Sequence, residues 1–184
     1  VKIREYGWDS LLLEVDDPVA WYRALRDNPE TDVDEIVPAA RTVLVRGIRH
    51  LPDLAQLTPA PVSEGAEQHT IAVTWDGADL DKVKPGTIEV MKATTFTVAF
   101  CGFSPGFAYM TGLPEQYQLP RLATPRTKVP RGSVAIGGPY ASVYPTESPG
   151  GWLLLGTTET VLFDLSKEEP ALLRPGTTVR FTDA

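Results

Sequence analysis

Four cations and a group of aromatic side chains define the chemistry to look for. Arg121, Arg126, Lys128 and Arg131 lie in a segment with no Asp or Glu between Glu115 and Glu147, within a chain of net charge -7. A stretch emptied of acid in an acidic protein is the natural place to bind a small anion. Each arginine follows a proline, at Pro120, Pro125 and Pro130. Proline fixes φ, so a guanidinium held there loses little loop entropy on binding. Arginine meets carboxylate or phosphate through a planar two-pronged contact, and Lys128 adds a point charge. A solvated basic loop has the same pattern. That alternative stands level for Arg121 and Arg126 and is preferred for Arg131. Ser148-Pro149-Gly150-Gly151-Trp152 brings bare backbone up to a large aromatic, and amides on such a turn can hold an oxyanion. A plain turn entering a strand is the other reading. Tyr109 and Tyr144 offer hydroxyls. His69 is the proton shuttle available after the linker, since His50 is the only other histidine.

Three further patterns carry less. Gly102-Phe103-Ser104-Pro105-Gly106 fits G-x-S-x-G after an expected strand, but no long helix is expected to follow. A tight loop shaping a pocket is the reading preferred over a nucleophilic Ser104. Val90-Met91-Lys92 resembles a biotin attachment site. Lys92 follows Pro85-Gly86 too closely and leads straight into the next strand, so no biotin is expected and Lys92 reads as an exposed strand edge. There is no GxxxxGK[ST] loop. Cys101 is the single cysteine, which removes an internal disulfide and a cysteine-based zinc site, and two histidines remove a multi-histidine metal site. No metal site is expected.

The elements that must carry these residues divide near residue 62. At 184 residues, with 42% hydrophobic and 22% charged, the chain is a soluble globular protein of one ordinary domain or two small ones. Its acidity argues against nucleic acid as a partner. No membrane-spanning run and no secretory pattern is seen, and a cytoplasmic location is expected. Val1 to Tyr6 and Ser10 to Val15 read as strands. Asp16 or Asp17 caps a helix with Pro18 in its first turn, and Asn28-Pro29 ends it. Val33 to Val37 and Arg41 to Val45 pair. Leu51 to Leu57 reads as one or two helical turns, and Thr58 to Gln68 as a linker. Residues 1–62 are thus an α+β unit. From 63 to 184 the chain reads as mainly β: His69 to Trp75, Phe96 to Cys101, Ser133 to Ile136, Ala141 to Tyr144, Trp152 to Leu155, Thr160 to Leu165 and Thr178 to Thr182. Asp79 to Val83 reads as a short helix. Short strands with Gly and Pro between them predict a barrel or sandwich.

Three ordered motifs carry a family resemblance: GF-x-PGF-x-Y (Gly102 to Tyr109), LPR-x-x-TPR-x-x-VP-x-GSVAI (Leu119 to Ile136) and YP-x-x-SPGGW-x-L-x-G-x-T (Tyr144 to Thr158). They resemble allophanate hydrolase subunit 1, a family that also covers the 5-oxoprolinase component PxpB and the sporulation kinase inhibitor KipI. The segment is similar too to the C and D subdomains of a carboxyltransferase domain. The resemblance implies an α+β N-terminal domain followed by a cyclophilin-like β-barrel. It implies a subunit of an ATP-dependent amide hydrolase, with magnesium accompanying the nucleotide. It implies a separate, related subunit 2 (KipA-like or PxpC-like) as partner, together with a LamB/YcsF-like subunit. On this reading Arg121, Arg126 and Lys128 hold carboxylate or phosphate. His69 and Tyr109 move protons or orient substrate, and Ser148, Gly150, Gly151 and Trp152 line the cleft. The alternative is a KipI-type regulator that binds and inhibits a sensor histidine kinase. Prolyl isomerisation, suggested by the barrel alone, ranks last.

Overall fold

The computed structural model describes residues 1–59 and 67–184. The expected boundary near residue 62 and most of the Thr58 to Gln68 linker lie outside the described residues. Two compact units span Val1–Ala66 and Glu67–Ala184.

In the first unit β1 (Lys2–Glu5), β2 (Leu11–Glu14), β3 (Glu35–Pro38) and β4 (Thr42–Arg46) form an antiparallel sheet in the order β1-β2-β4-β3. Helix α1 (Pro18–Arg26) starts where the sequence signals it. The Asp17 carboxylate accepts the Ala20 N–H at 3.0 Å, Pro18 needs no donor, and Arg23 and Arg26 sit at the negative end of the helix. Its Leu25 packs with Leu13, Val43 and Val45. Leu51 to Leu57 is not helical. The Asp53 carboxylate accepts from the Ala55 amide and the Gln56 side chain, which closes a single turn and stops there.

The second unit is mainly β. Its strands are β5 (Gln68–Val73), β6 (Phe96–Cys101), β7 (Ala108–Thr111), β8 (Arg126–Val129), β9 (Ser133–Gly137), β10 (Tyr140–Val143), β11 (Ser148–Gly150), β12 (Leu153–Thr157) and β13 (Thr178–Asp183). Seven of them form one sheet in the order β12-β9-β10-β7-β6-β13-β5. The two outer strands nearly meet. Past the end of β5, Thr74 and Thr157 exchange backbone hydrogen bonds of 2.9 and 2.8 Å, bending the sheet towards a barrel. Alternation fills the interior with Ile71, Val73, Phe96, Val98, Met110, Val134, Ile136, Val143, Leu155, Val179 and Phe181. Strands β8 and β11 pair separately as a two-stranded ribbon.

Three local expectations are corrected. Lys92 lies in the last turn of a helix, α2 (Thr87–Ala93), not on a strand edge, and pairs with Asp183 at 3.1 Å. Thr87 and Met91 sit four apart and bury one face, which is helical spacing. Thr160 to Leu165 is not a strand. Phe163 makes one bridge to Ala171, and Asp164 then accepts the Ser166 amide and hydroxyl in a turn. The Ser148 to Gly150 part of the expected turn is strand β11. Pro149 is tolerated there because the ribbon is only two strands wide.

Candidate functional site

The outward-facing residues of β7, β10 and β12 differ sharply from the interior ones. On β7, Ala108 and Met110 face the barrel interior while Phe107 and Tyr109 belong to a second cluster with Ala135, Tyr144, Trp152 and Leu154. A register shift between Val98 and Phe100 turns Phe100 out to join them, opposite Tyr109. Tyr109 then sits at the centre of an aromatic face. It stacks on Phe100 at 4.4 Å, and its ring lies 5.1 Å from Phe107, 5.6 Å from Tyr140 and 5.6 Å from Trp152. Phe107, Tyr144 and Trp152 are buried, whereas Phe100, Tyr109 and Tyr140 are half-buried. The face therefore has a fixed floor and an open top.

Glycines permit this packing. A Cβ on Gly137 would lie 2.8 Å from the Trp152 ring, and one on Gly150 would collide with the Tyr144 hydroxyl oxygen. Gly151 abuts Pro125 and the Leu122 carbonyl. The close approaches explain Gly137 and the first glycine of the SPGGW motif, Gly150; Gly151 makes only ordinary contacts.

Burial pushes the Tyr109 phenol up; the Arg121 charge opposes this and Tyr140 adds to it. Burial likewise raises Tyr140 and Tyr144. At neutral pH the three phenols are thus protonated, and they donate hydrogen bonds rather than act as bases. Cys101 is inert for a related reason: burial pushes its thiol up to about 11, and Sγ donates to the Leu173 carbonyl at 3.3 Å.

Arg121 rides on a segment pinned at both ends. The Gly138 amide donates to the Leu119 carbonyl and the Leu122 amide donates to the Gly151 carbonyl, each at 2.7 Å. The Arg121 side chain is exposed, and among the described residues it makes no hydrogen bond or ion pair. It is an unpaired side chain on a pinned stretch of backbone, close enough to Tyr109 for its charge to bear on that phenol. Lys128 differs, pairing with Glu147 at 3.0 Å with both side chains largely in water. Such a pair contributes little.

Arg126 is tied to a residue that the sequence alone does not mark. Asp79, fully buried, accepts Arg126 Nη2 at 2.7 and 2.8 Å, Lys82 Nζ at 2.6 Å and the Leu154 amide at 2.8 Å. Burial alone would push its carboxyl up. The hydrogen bonds from Arg126, Leu154 and Lys82 outweigh that and hold it below the usual carboxylate range. Nothing in the sequence separates Asp79 from its neighbours Asp76 and Asp81. Only the approach of β8 and β12 makes it different.

The remaining candidates do not converge. His69 lies on β5, paired with Val179 and on the same inward face as Ile71 and Val73; its Nε2 is 3.4 Å from Glu67. Between β5 and β7 stand β13 and β6, so His69 and Tyr109 do not share a site. Ser104 is in a turn where Phe103 has φ 68° and Gly106 φ 81°, and the chain continues into β7, not a helix. The Ser104 hydroxyl is buried without a hydrogen-bond partner, so no base activates it. An open hollow of about 490 Å³ in the first unit is lined by Asp27, Glu30 and Asp53 and by no cation, which suits no anion.

Comparison with known proteins places these features in context. Residues 1–173 match the family described as carboxyltransferase domain, subdomain C and D. The chain is similar to the B component of 5-oxoprolinase from Escherichia coli O157:H7, with 53% identity over 94 residues, which is 51% of this chain and 43% of that one. The same component of Bacillus subtilis (strain 168) is 37% identical over 105 residues, covering 56% and 44%. The chain thus spans less than half the length of the curated relatives it matches. Among solved structures, TTHA0988 is similar over 100% of this chain and 41% of its own, with 30% identity and a TM-score of 0.77. The conserved uncharacterized protein PH0987 from Pyrococcus horikoshii is similar over 100% and 97%, with 28% identity and a TM-score of 0.60. The K. lactis urea amidolyase, at 18% identity over 99% of this chain and 15% of its own with a TM-score of 0.67, shares the fold.

Proposed function

The chain belongs to the carboxyltransferase-domain family of subdomains C and D, in its PxpB and allophanate hydrolase subunit 1 branch, and we propose that it is one subunit of an ATP-dependent 5-oxoprolinase-type amide hydrolase. On this reading residues 63–184 form a cyclophilin-like barrel and residues 1–62 an α+β domain. The substrate is a small cyclic amide bearing a carboxylate, as the name of the relatives indicates. The observation that carries the reading is Arg121, an unpaired cation on pinned backbone whose charge reaches Tyr109 in a half-open aromatic face.

Each part of that face has a task. Arg121 holds the substrate carboxylate by a two-pronged contact. Tyr109 and Phe100 offer flat surfaces for a small ring, and the protonated Tyr109 and Tyr140 phenols donate to an amide oxygen. Gly137 and Gly150 let Trp152 and Tyr144 floor the cleft, with Gly151 at its edge. ATP, when bound, would supply a phosphoryl group to the amide oxygen with ADP leaving. Water would then add to the activated carbonyl carbon, the ring C–N bond would break to free the amine, and hydrolysis of the acyl phosphate would release phosphate, making the uphill ring opening feasible. Among the described residues no cluster of three or more His, Cys, Asp or Glu stands ready for a metal. Magnesium would therefore enter on the nucleotide phosphates.

The face is shallow, and the curated relatives are named as one subunit of an enzyme. We read it as half of a site, completed by a related subunit 2. Co-expressed with that subunit and a LamB/YcsF-like one, the chain should co-elute with them. The complex should open 5-oxoproline only while hydrolysing ATP. Co-elution without ATP-coupled ring opening would dismiss the substrate; no co-elution would dismiss the assembly.

A further inference from the structure

We infer that Asp79 is a positioning residue that aims Arg126 at the anion bound on this face; the inference rests on the site reading above.

The first ground is stoichiometry. One fully buried carboxylate meets two cations, Arg126 and Lys82, so the cluster carries a net charge of +1. A carboxylate placed only to neutralise a buried arginine needs no lysine as well. The second ground is the donor count. A guanidinium has five N–H groups. Nη2 is engaged by both Asp79 oxygens, and one N–H of Nη1 reaches the Trp152 carbonyl at 3.5 Å, which leaves Nε–H and the second Nη1 N–H without a partner among the described residues. Two donors therefore remain, and 25% of the side chain is exposed. The third ground is what the clamp touches. Arg126 faces Gly150 across the β8–β11 ribbon, Asp79 also takes the Leu154 amide of β12, and the Arg126–Trp152 contact lies between them. One end of the guanidinium, Nη2, is anchored on both Asp79 oxygens, and Nη1 touches the Trp152 carbonyl, so the group is held at two points. The Asp79 anchor thus keeps Arg126 against the same motif that floors the aromatic face. Lys82 and the Leu154 amide hold the Asp79 carboxylate still while it does so.

The test is a double-mutant cycle on the assembled complex, read as KM for 5-oxoproline and kcat, with unfolding followed alongside. Arg126→Ala is expected to raise KM about tenfold or more, the loss of one charge-assisted contact. Asp79→Asn is expected to raise KM by a similar factor while kcat changes less. Asp79→Asn with Arg126→Ala is expected to be no worse than Arg126→Ala alone. If Arg126→Ala leaves both constants unchanged, Arg126 is outside the site and the reading of the site fails there. If Arg126→Ala raises KM but Asp79→Asn does not, or the two effects multiply, the positioning role is overturned and the site stands. Should Asp79→Asn fail to fold, Arg126→Lys decides. It keeps the charge and loses the spread of donors that lets one end sit on Asp79 while the others face the anion, so KM should rise as for Arg126→Ala, and a wild-type KM would overturn the inference.

Discussion

Arg121→Ala is expected to lower kcat/KM of the assembled complex for 5-oxoproline by about ten- to a hundredfold, the worth of a hydrogen-bonded charge contact of about 1.5–3 kcal/mol. The chain itself should be no less stable. Arg121 is exposed and makes no hydrogen bond or ion pair among the described residues, and such surface changes fall within about 0.5 kcal/mol. Its segment is held by backbone hydrogen bonds at Leu119 and Leu122, which alanine leaves in place. Arg131→Ala serves as the comparison. It removes the same charge from an exposed position on the same loop system and should leave kcat/KM within a factor of about two, as for a surface change worth under 0.5 kcal/mol. Equal losses from both would mean that the basic segment acts by general attraction, with no seat for a carboxylate.

Asp79→Ala should destabilise the second unit by about 3 kcal/mol, a cost comparable to truncating a core aromatic. Removing a buried carboxylate leaves Arg126 with an unmatched charge and the Leu154 amide without an acceptor. Breaking such a pair costs about 3–5 kcal/mol. The lower figure applies because Lys82 is 46% exposed and can return to water. In urea, the loss should lower the unfolding midpoint by about 1–2 M. The pH dependence follows from the same geometry. Asp79 is held below its unfolded value of about 3.9. Its contribution is therefore fully present above that value and is lost as pH falls through the lower folded value. Acid unfolding of the wild type should include this component, and Asp79→Ala should lack it. An unchanged urea midpoint in the variant would mean that the cluster is solvated and slack.

Much of the fold is legible because local chemistry and tertiary structure agree. Asp17-Pro18 announces α1, and the β-branched alternation of residues 69–73 announces β5. What stays hidden is what depends on distant neighbours. β7 is flanked by Gly106 and Gly112 and reads as loop until β6 and β10 enclose it. β11 contains a proline and exists only because β8 lies beside it. Phe100 is destined for the interior by its spacing from Phe96 and Val98, and one register shift turns it outward. In the site, Arg121 and Tyr109 stand out by residue type, but their closeness does not show in the sequence. His69 stands out as a rare histidine, and rarity says nothing about which face of a sheet it occupies. Asp79 carries no mark at all.

The central claim is that the aromatic face with Arg121 is half of a substrate site. Calorimetric titration of 5-oxoproline, first into the isolated chain and then into its complex with subunit 2, tests this most directly. The account predicts no saturable binding to the chain alone and one saturable site in the complex. Equal affinity in both preparations would contradict it, because the site would then be complete within this chain.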